Sequence, residues 1–251
     1  MRQLPISNFR SVSGYRNKDG LAMKPGRIFR GASLDRLSME DAVYMKQELG
    51  IRYILDYRDA KEAELKKDVL ADGMVYERIS ALIVSSGQQG FDFGELLQQN
   101  LSAAHVQMLF SYLLDGYRHM PFHNPAYHRL FELLQKNDGN IYFHCSAGKD
   151  RTGIGAFLIM MALGMREEDG VKEYLLSNQY LKDFAAGFYR EHPMSEEDKI
   201  YSDKLLYVAE ESLMTSIKAI KGRYGSYEEF FEREYGIGAE KRAVLRSIYC
   251  E

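Results

Sequence analysis

Tryptophan is absent from the 251 residues, cysteine occurs twice and proline five times. Two cysteines, Cys145 and Cys250, cannot build a disulfide framework, so the fold must rest on a packed core. Long apolar runs are also missing. The longest, Gly155 to Gly164 (GAFLIMMALG), falls far short of a bilayer span, and stable membrane insertion is not expected. The opening segment MRQLPISNFRSVSGYR has no apolar run of the signal-peptide kind, so a cytoplasmic location is expected, with leaderless secretion left open. Neither charge sign dominates: 33 Lys and Arg stand against 36 Asp and Glu, a net −3. Such a balance gives no general pull toward nucleic acid, and anion binding must come from a local site. What is present is ordinary globular material. The chain is 45% hydrophobic and 27% charged, enough for a sizeable core, and 1–251 reads as a single domain.

Strand and helix signals alternate along most of the chain. Loops and a short hairpin fill Asn8 to Ser33, with Arg27–Arg30 alternating in the manner of a strand. A helix is expected from Ser38 to Gly50, a buried strand over Ile51–Tyr57, a charged helix over Ala60–Ala71 and a strand over Met74–Val84. After the polar stretch 85–90, residues 91–120 read as mostly helical, a candidate lid. Asn124 caps a helix through Asn137, with Pro125 at its first position. Asn140–His144 is a strand and Thr152–Met165 an apolar helix. Further helices are expected at Glu167–Asn178, Tyr180–Glu191, Lys199–Gly222, Tyr227–Tyr235 and Ala239–Tyr249. The pattern is α/β: a mainly parallel sheet flanked by helices, with a helical lid and helical carboxyl-terminal additions.

The run that carries chemistry is Asn140 to Ile154, NIYFHCSAGKDRTGI. Strand, polar turn and helix follow one another, which places the turn at the carboxyl end of a strand, where α/β sites lie. Amides of residues 146–151 can point at one anion, aided by the positive end of the following helix. Cys145 opens the turn and Arg151 closes it. Amide donors, the helix start and a guanidinium all favour a thiolate. Arg151 offers a planar fork for two phosphate oxygens. This set suits nucleophilic attack on phosphorus with a cysteinyl-phosphate intermediate and needs no metal or other cofactor.

The stretch His144-Cys145-Ser146-Ala147-Gly148-Lys149-Asp150-Arg151-Thr152-Gly153 resembles the phosphate loop of cysteine-based tyrosine phosphatases. Its Lys149-Asp150 pair is similar to that of the atypical bacterial tyrosine phosphatases, a group credited also with phosphoserine and phosphoinositide hydrolysis. Asn8-Phe9-Arg10, Gly14-Tyr15, Pro25 to Arg30, Glu48 to Ile51 and Asp56-Tyr57-Arg58 match that group's amino-terminal landmarks. Tyr174-Leu175, Ser177-Asn178 and Tyr224 to Tyr227 match its carboxyl-terminal half. Ser11 and Ser13 depart from the usual Asp and Gly. The resemblance implies a cysteine-phosphatase fold and phosphotyrosine in a protein as substrate, with a phosphoinositide or inositol phosphate as the rival; from another class, a phospho-binding pseudo-enzyme is a third reading. Substrate would sit on Ser146, Ala147, Gly148, Lys149, Asp150 and Arg151.

A leaving alkoxide or phenoxide needs a proton. Some members of the group it resembles carry an acidic residue just after the strand that here ends near Val84, and residues 81–86 have none; Asp150, inside the loop, is the first candidate acid, and Asp92, in the flexible stretch 90–93, is the second if the lid folds over the site. Asp150 has a competing role as a brace for the loop. His144 is expected to orient the loop, and Thr152 to donate to the thiolate or cap the helix. Asp56 and Arg58 support the site or form a structural ion pair. His119, His123 and His128 lack tight ligand spacing and are assigned no metal. Cys250, next to the end, is expected to be mobile, with a redox partnership with Cys145 left open.

Overall fold

A computed structural model describes residues 2–83 and 103–251. Five strands, β1 (Arg10–Ser11), β2 (Ile28–Gly31), β3 (Ile51–Asp56), β4 (Val75–Arg78) and β5 (Asn140–His144), form one sheet in the order β1-β2-β5-β3-β4. Only the β1–β2 pair is antiparallel. The mainly parallel α/β sheet expected from the sequence is therefore present. β5 lies in the middle, with its interior residues Ile141 to Phe143 buried. Side chains alternate between its faces. Ile141 and Phe143 join Tyr53 and Leu55 in one core, while Tyr142 joins Phe29 and Ile54 in the other. Register aligns Gly31, His144 and Asp56 in one row, so three parallel strands end together. The loop after His144 opens at that edge.

The helices are α1 (Met39–Gln47), α2 (Ala60–Leu65), α3 (Ala103–His119), α4 (Pro125–Lys136), α5 (Arg151–Ala162), α6 (Glu167–Leu175), α7 (Ser177–Tyr180), α8 (Lys182–Glu191), α9 (Glu196–Leu206), α10 (Glu210–Tyr224), α11 (Tyr227–Tyr235) and α12 (Ala239–Tyr249). Local chemistry sets several of their starts. Ser38 and Asp41 close a capping box on α1, and Asp59 and Glu62 do so on α2. Asn124 accepts from the Ala126 amide ahead of Pro125, as expected. After its first residue α5 is buried all round, as its unbroken apolar run requires. Among the described residues no helix is long and apolar enough to cross a membrane.

Three expectations need correction. The helix expected over Ala60–Ala71 ends at Leu65, because Arg58 takes the Lys66 carbonyl and the Asp68 carboxylate. The helix expected over Lys199–Gly222 is two helices, broken at Tyr207–Ala209. There Asn178 exchanges two hydrogen bonds with the Val208 backbone, which local periodicity does not reveal. Cys250 is anchored and buried, since Met23 pairs with it and Ala22 exchanges amide bonds with Glu251. The candidate lid over 91–120 is described only from 103, where α3 runs, and Asp92 lies outside the described residues.

Candidate active site

The loop from Cys145 to Asp150 is defined by where its carbonyls go. The His144 carbonyl accepts from the Tyr57 amide at 2.8 Å, and that of Cys145 meets His144 Nδ1 at 3.1 Å. The Ser146 carbonyl accepts from the Ser33 amide at 3.2 Å. Asn8 Nδ2 reaches the carbonyls of Ala147 at 3.5 Å and Gly148 at 2.7 Å, and Arg30 Nη2 donates to the latter at 2.7 Å. In a trans peptide the N–H points opposite to the C=O. Tying the carbonyls of 144–148 outward therefore turns the amides of 145–149 the other way, into a common cradle suited to an anion. Gly148 permits this with φ +67° and no Cβ, since a Cβ there would stand 2.2 Å from the Gly31 backbone.

Cys145 is buried at the mouth of α5. Burial pushes its thiol up, but the Arg151 guanidinium and then Thr152 outweigh that, and the pKa lies below the ordinary 9.0. Thr152 sits in the first turn of α5, where its hydroxyl and its backbone N–H both favour the Cys145 thiolate. The cap position belongs to Asp150, so Thr152 does not cap the helix. Arg151 is held by Glu62, with Nη1 to Oε2 at 2.6 Å and Nη2 to Oε1 at 2.8 Å. Glu62 also accepts from Ser146 Oγ at 2.6 Å. Burial opposes its ionisation, yet Arg151 draws its pKa down to about 2. Glu62 was not singled out from the sequence. The Asp59-x-x-Glu62 capping pattern marks its helix start, but its partner is 89 residues away.

Asp150 is the last residue of the loop, with Oδ1 accepting from Tyr117 Oη at 2.7 Å and Oδ2 2.9 Å from Lys149 Nζ. The brace it makes is thus to a lysine and a tyrosine. Lys149 is buried and also reaches the Tyr207 carbonyl at 3.4 Å, at the break between α9 and α10. The cavity over Cys145 has a polar floor of residues 145–147 and 149–151 and a wall of Leu82, Leu109, Tyr112, Leu113 and Met120.

Two buried ionic clusters back the loop. Asp56 and Arg58 do pair, and Arg58 Nη2 also binds Asp68 at 2.7 Å. His144 Nε2 stands 3.2 Å from Asp68 Oδ2. Burial lowers the His144 pKa, but Asp68 and Asp56 outweigh it and leave it raised. On the other side Glu173 binds Arg10 at 2.7 Å and Arg30 at 2.5 Å. Asp68 and Glu173 also escaped the sequence reading. Asp56, Asp68 and His144 form a grouping of metal-ligand types among the described residues, and Arg58 already pairs with both carboxylates. His119, His123 and His128 have separate neighbours: Asp115, Glu234 and the Tyr235 ring.

A family model described as the tyrosine phosphatase family matches residues 3–251. A Cupriavidus necator protein named as a tyrosine-protein phosphatase is 27% identical over 226 residues, 90% of this chain and 80% of its own. The triple specificity protein phosphatase PtpB of Mycobacterium tuberculosis is 30% identical over 203 residues, covering 71% of this chain and 69% of that protein. Among solved structures, TpbA of P. aeruginosa aligns with 78% of this chain and 90% of its own at 12% identity and a TM-score of 0.34.

Proposed function

The chain belongs to the tyrosine phosphatase family, and from that premise we propose that it hydrolyses phosphotyrosine in proteins through a cysteinyl-phosphate on Cys145, with 1–251 as one catalytic domain. The observation that carries this reading is the buried Cys145 at the floor of a cavity it shares with Arg151, with the carbonyls of 144–148 tied away from it. Sγ attacks phosphorus. The inward amides and Arg151 hold the equatorial oxygens as charge shifts. Glu62 occupies the Nη1 and Nη2 end of Arg151, leaving the Nε edge for phosphate. Asp150 serves as the general acid, and Ser146, Ala147, Gly148 and Lys149 complete the phosphate cradle. Leu82, Leu109, Tyr112 and Leu113 supply a wall against which an aryl ring packs.

A second reading is favoured by Lys149, a buried cation lining the same cavity. It suits an inositol ring bearing more than one phosphate, and one relative is named for triple specificity. Comparing kcat/KM across phosphotyrosine peptides and phosphoinositides decides between them. The mechanism itself is tested by Cys145→Ser, which should lower kcat by about 1,000-fold or more while phosphate still binds, because a serine hydroxyl stays protonated. Residual kcat within tenfold of wild type sinks the covalent route.

A further inference from the structure

Two buried tyrosines beside the loop have hydroxyls that the mechanism above does not use. Tyr117 on α3 and Tyr174 on α6 are both fully buried, their hydroxyls 2.6 Å apart and their rings edge to face at 6.3 Å. Tyr174 is fixed by Gly153, where an added Cβ would stand 2.7 Å from its ring. The Tyr117 carbonyl is pinned by Ser216 Oγ at 2.5 Å. A phenol taken out of water is costly unless it is paired. The Tyr117 hydroxyl is paired with Tyr174 and with Oδ1 of Asp150. Burial first, and the Asp150 carboxylate next, hold its pKa well above the ordinary 10.0, so it remains a donor.

This contact divides the two oxygens of Asp150. We propose that Tyr117, steadied by Tyr174, is a positioning residue that tethers Oδ1 of Asp150 and leaves Oδ2 as the oxygen that delivers the proton. The proposal rests on Asp150 being the general acid. As the Sγ–P bond forms and the bond from phosphorus to the leaving oxygen breaks, that oxygen takes the proton from Oδ2. In the second half the Asp150 carboxylate accepts a proton from the water that attacks the cysteinyl-phosphate, and phosphate and the thiolate are released.

Tyr117→Phe keeps the ring and removes the tether. It should lower kcat/KM for an alkyl phosphate by about tenfold or more and for p-nitrophenyl phosphate by less than about threefold, since a good leaving group departs without a proton. Tyr174→Phe should act in the same direction by about threefold. In an Asp150→Asn background, Tyr117→Phe should leave the alkyl-to-aryl ratio unchanged. Equal losses on both substrates in Tyr117→Phe, with a selective alkyl loss in Asp150→Asn, overturn the role of Tyr117 alone. Equal losses in Asp150→Asn overturn the acid assignment and Tyr117 with it. If Tyr117→Phe does not fold, Tyr174→Phe carries the test, and an unchanged ratio there refutes the proposal.

Discussion

The two ionic clusters behind the loop balance acid against base differently. The strand-side cluster sets Asp56 and Asp68 against Arg58 and His144. The amino-terminal cluster sets Arg10 and Arg30 against one carboxylate, Glu173. On the first side the charges are well satisfied. Asp56 is opposed by burial, yet His144, Arg58 and Tyr76 hold its pKa at about 2. On the second, burial and then Arg10 bring the Arg30 pKa down to about 10, so its charge is held at a cost. That under-compensated cation is the one that donates to the Gly148 carbonyl. A dianion bound in the loop adds the missing negative charge. The contrast is between a cluster whose charges are matched and one that leaves a surplus of positive charge behind the proposed phosphate loop.

Three measurements bear on this contrast, in descending size. Glu173→Gln leaves two buried arginines without a counter-charge and should lower unfolding free energy by about 3–5 kcal/mol, read from urea midpoints. Added phosphate should recover part of that loss. A cost below about 1 kcal/mol would show that Glu173 does not balance the arginines. Acid should undo the opposite cluster. Asp56 is depressed from 3.8 to about 2, so its contribution is complete above its unfolded value and is lost as pH falls toward 2, about 2 kcal/mol in all. Urea midpoints that stay level between pH 5 and 2 would contradict this. Arg30→Lys keeps a charge but cannot reach both Glu173 and the Gly148 carbonyl. It should weaken phosphate binding by about tenfold, roughly 1.4 kcal/mol, with little loss of fold. Unchanged affinity would remove Arg30 from the attractive side of the comparison.

Much of this site is legible in the sequence because its parts are contiguous. His144 to Thr152 carries the proposed nucleophile, cradle and fork on one strand-turn-helix, and the flanking strand and helix announce themselves by their apolar runs. Asn124 and Pro125 likewise mark the start of α4 from neighbouring residues alone. What stays hidden depends on separation. Glu62, Asp68 and Glu173 are surface-type residues by composition, and only the packing of helices and loops on the sheet brings them to Arg151, His144 and Arg30. The break at Tyr207–Ala209 follows from Asn178, some thirty residues earlier, not from the helix-forming sequence around it. Cys250 misleads for the same reason, since position near an end says nothing about a pairing with Met23.

The close approach of Gly31 and Gly148 has a combinatorial consequence. A Cβ on Gly148 would lie 2.2 Å from the Gly31 backbone, and one on Gly31 would lie 2.6 Å from Tyr142 Oη. Backbone meets backbone there, so no repacking of side chains can create room. At position 148 the choice of twenty residues collapses to one, and a change at 31 obliges the buried Tyr142 to change as well. For anyone diversifying this pocket, the variable letters are those of the apolar wall, while position 148 has a single spelling.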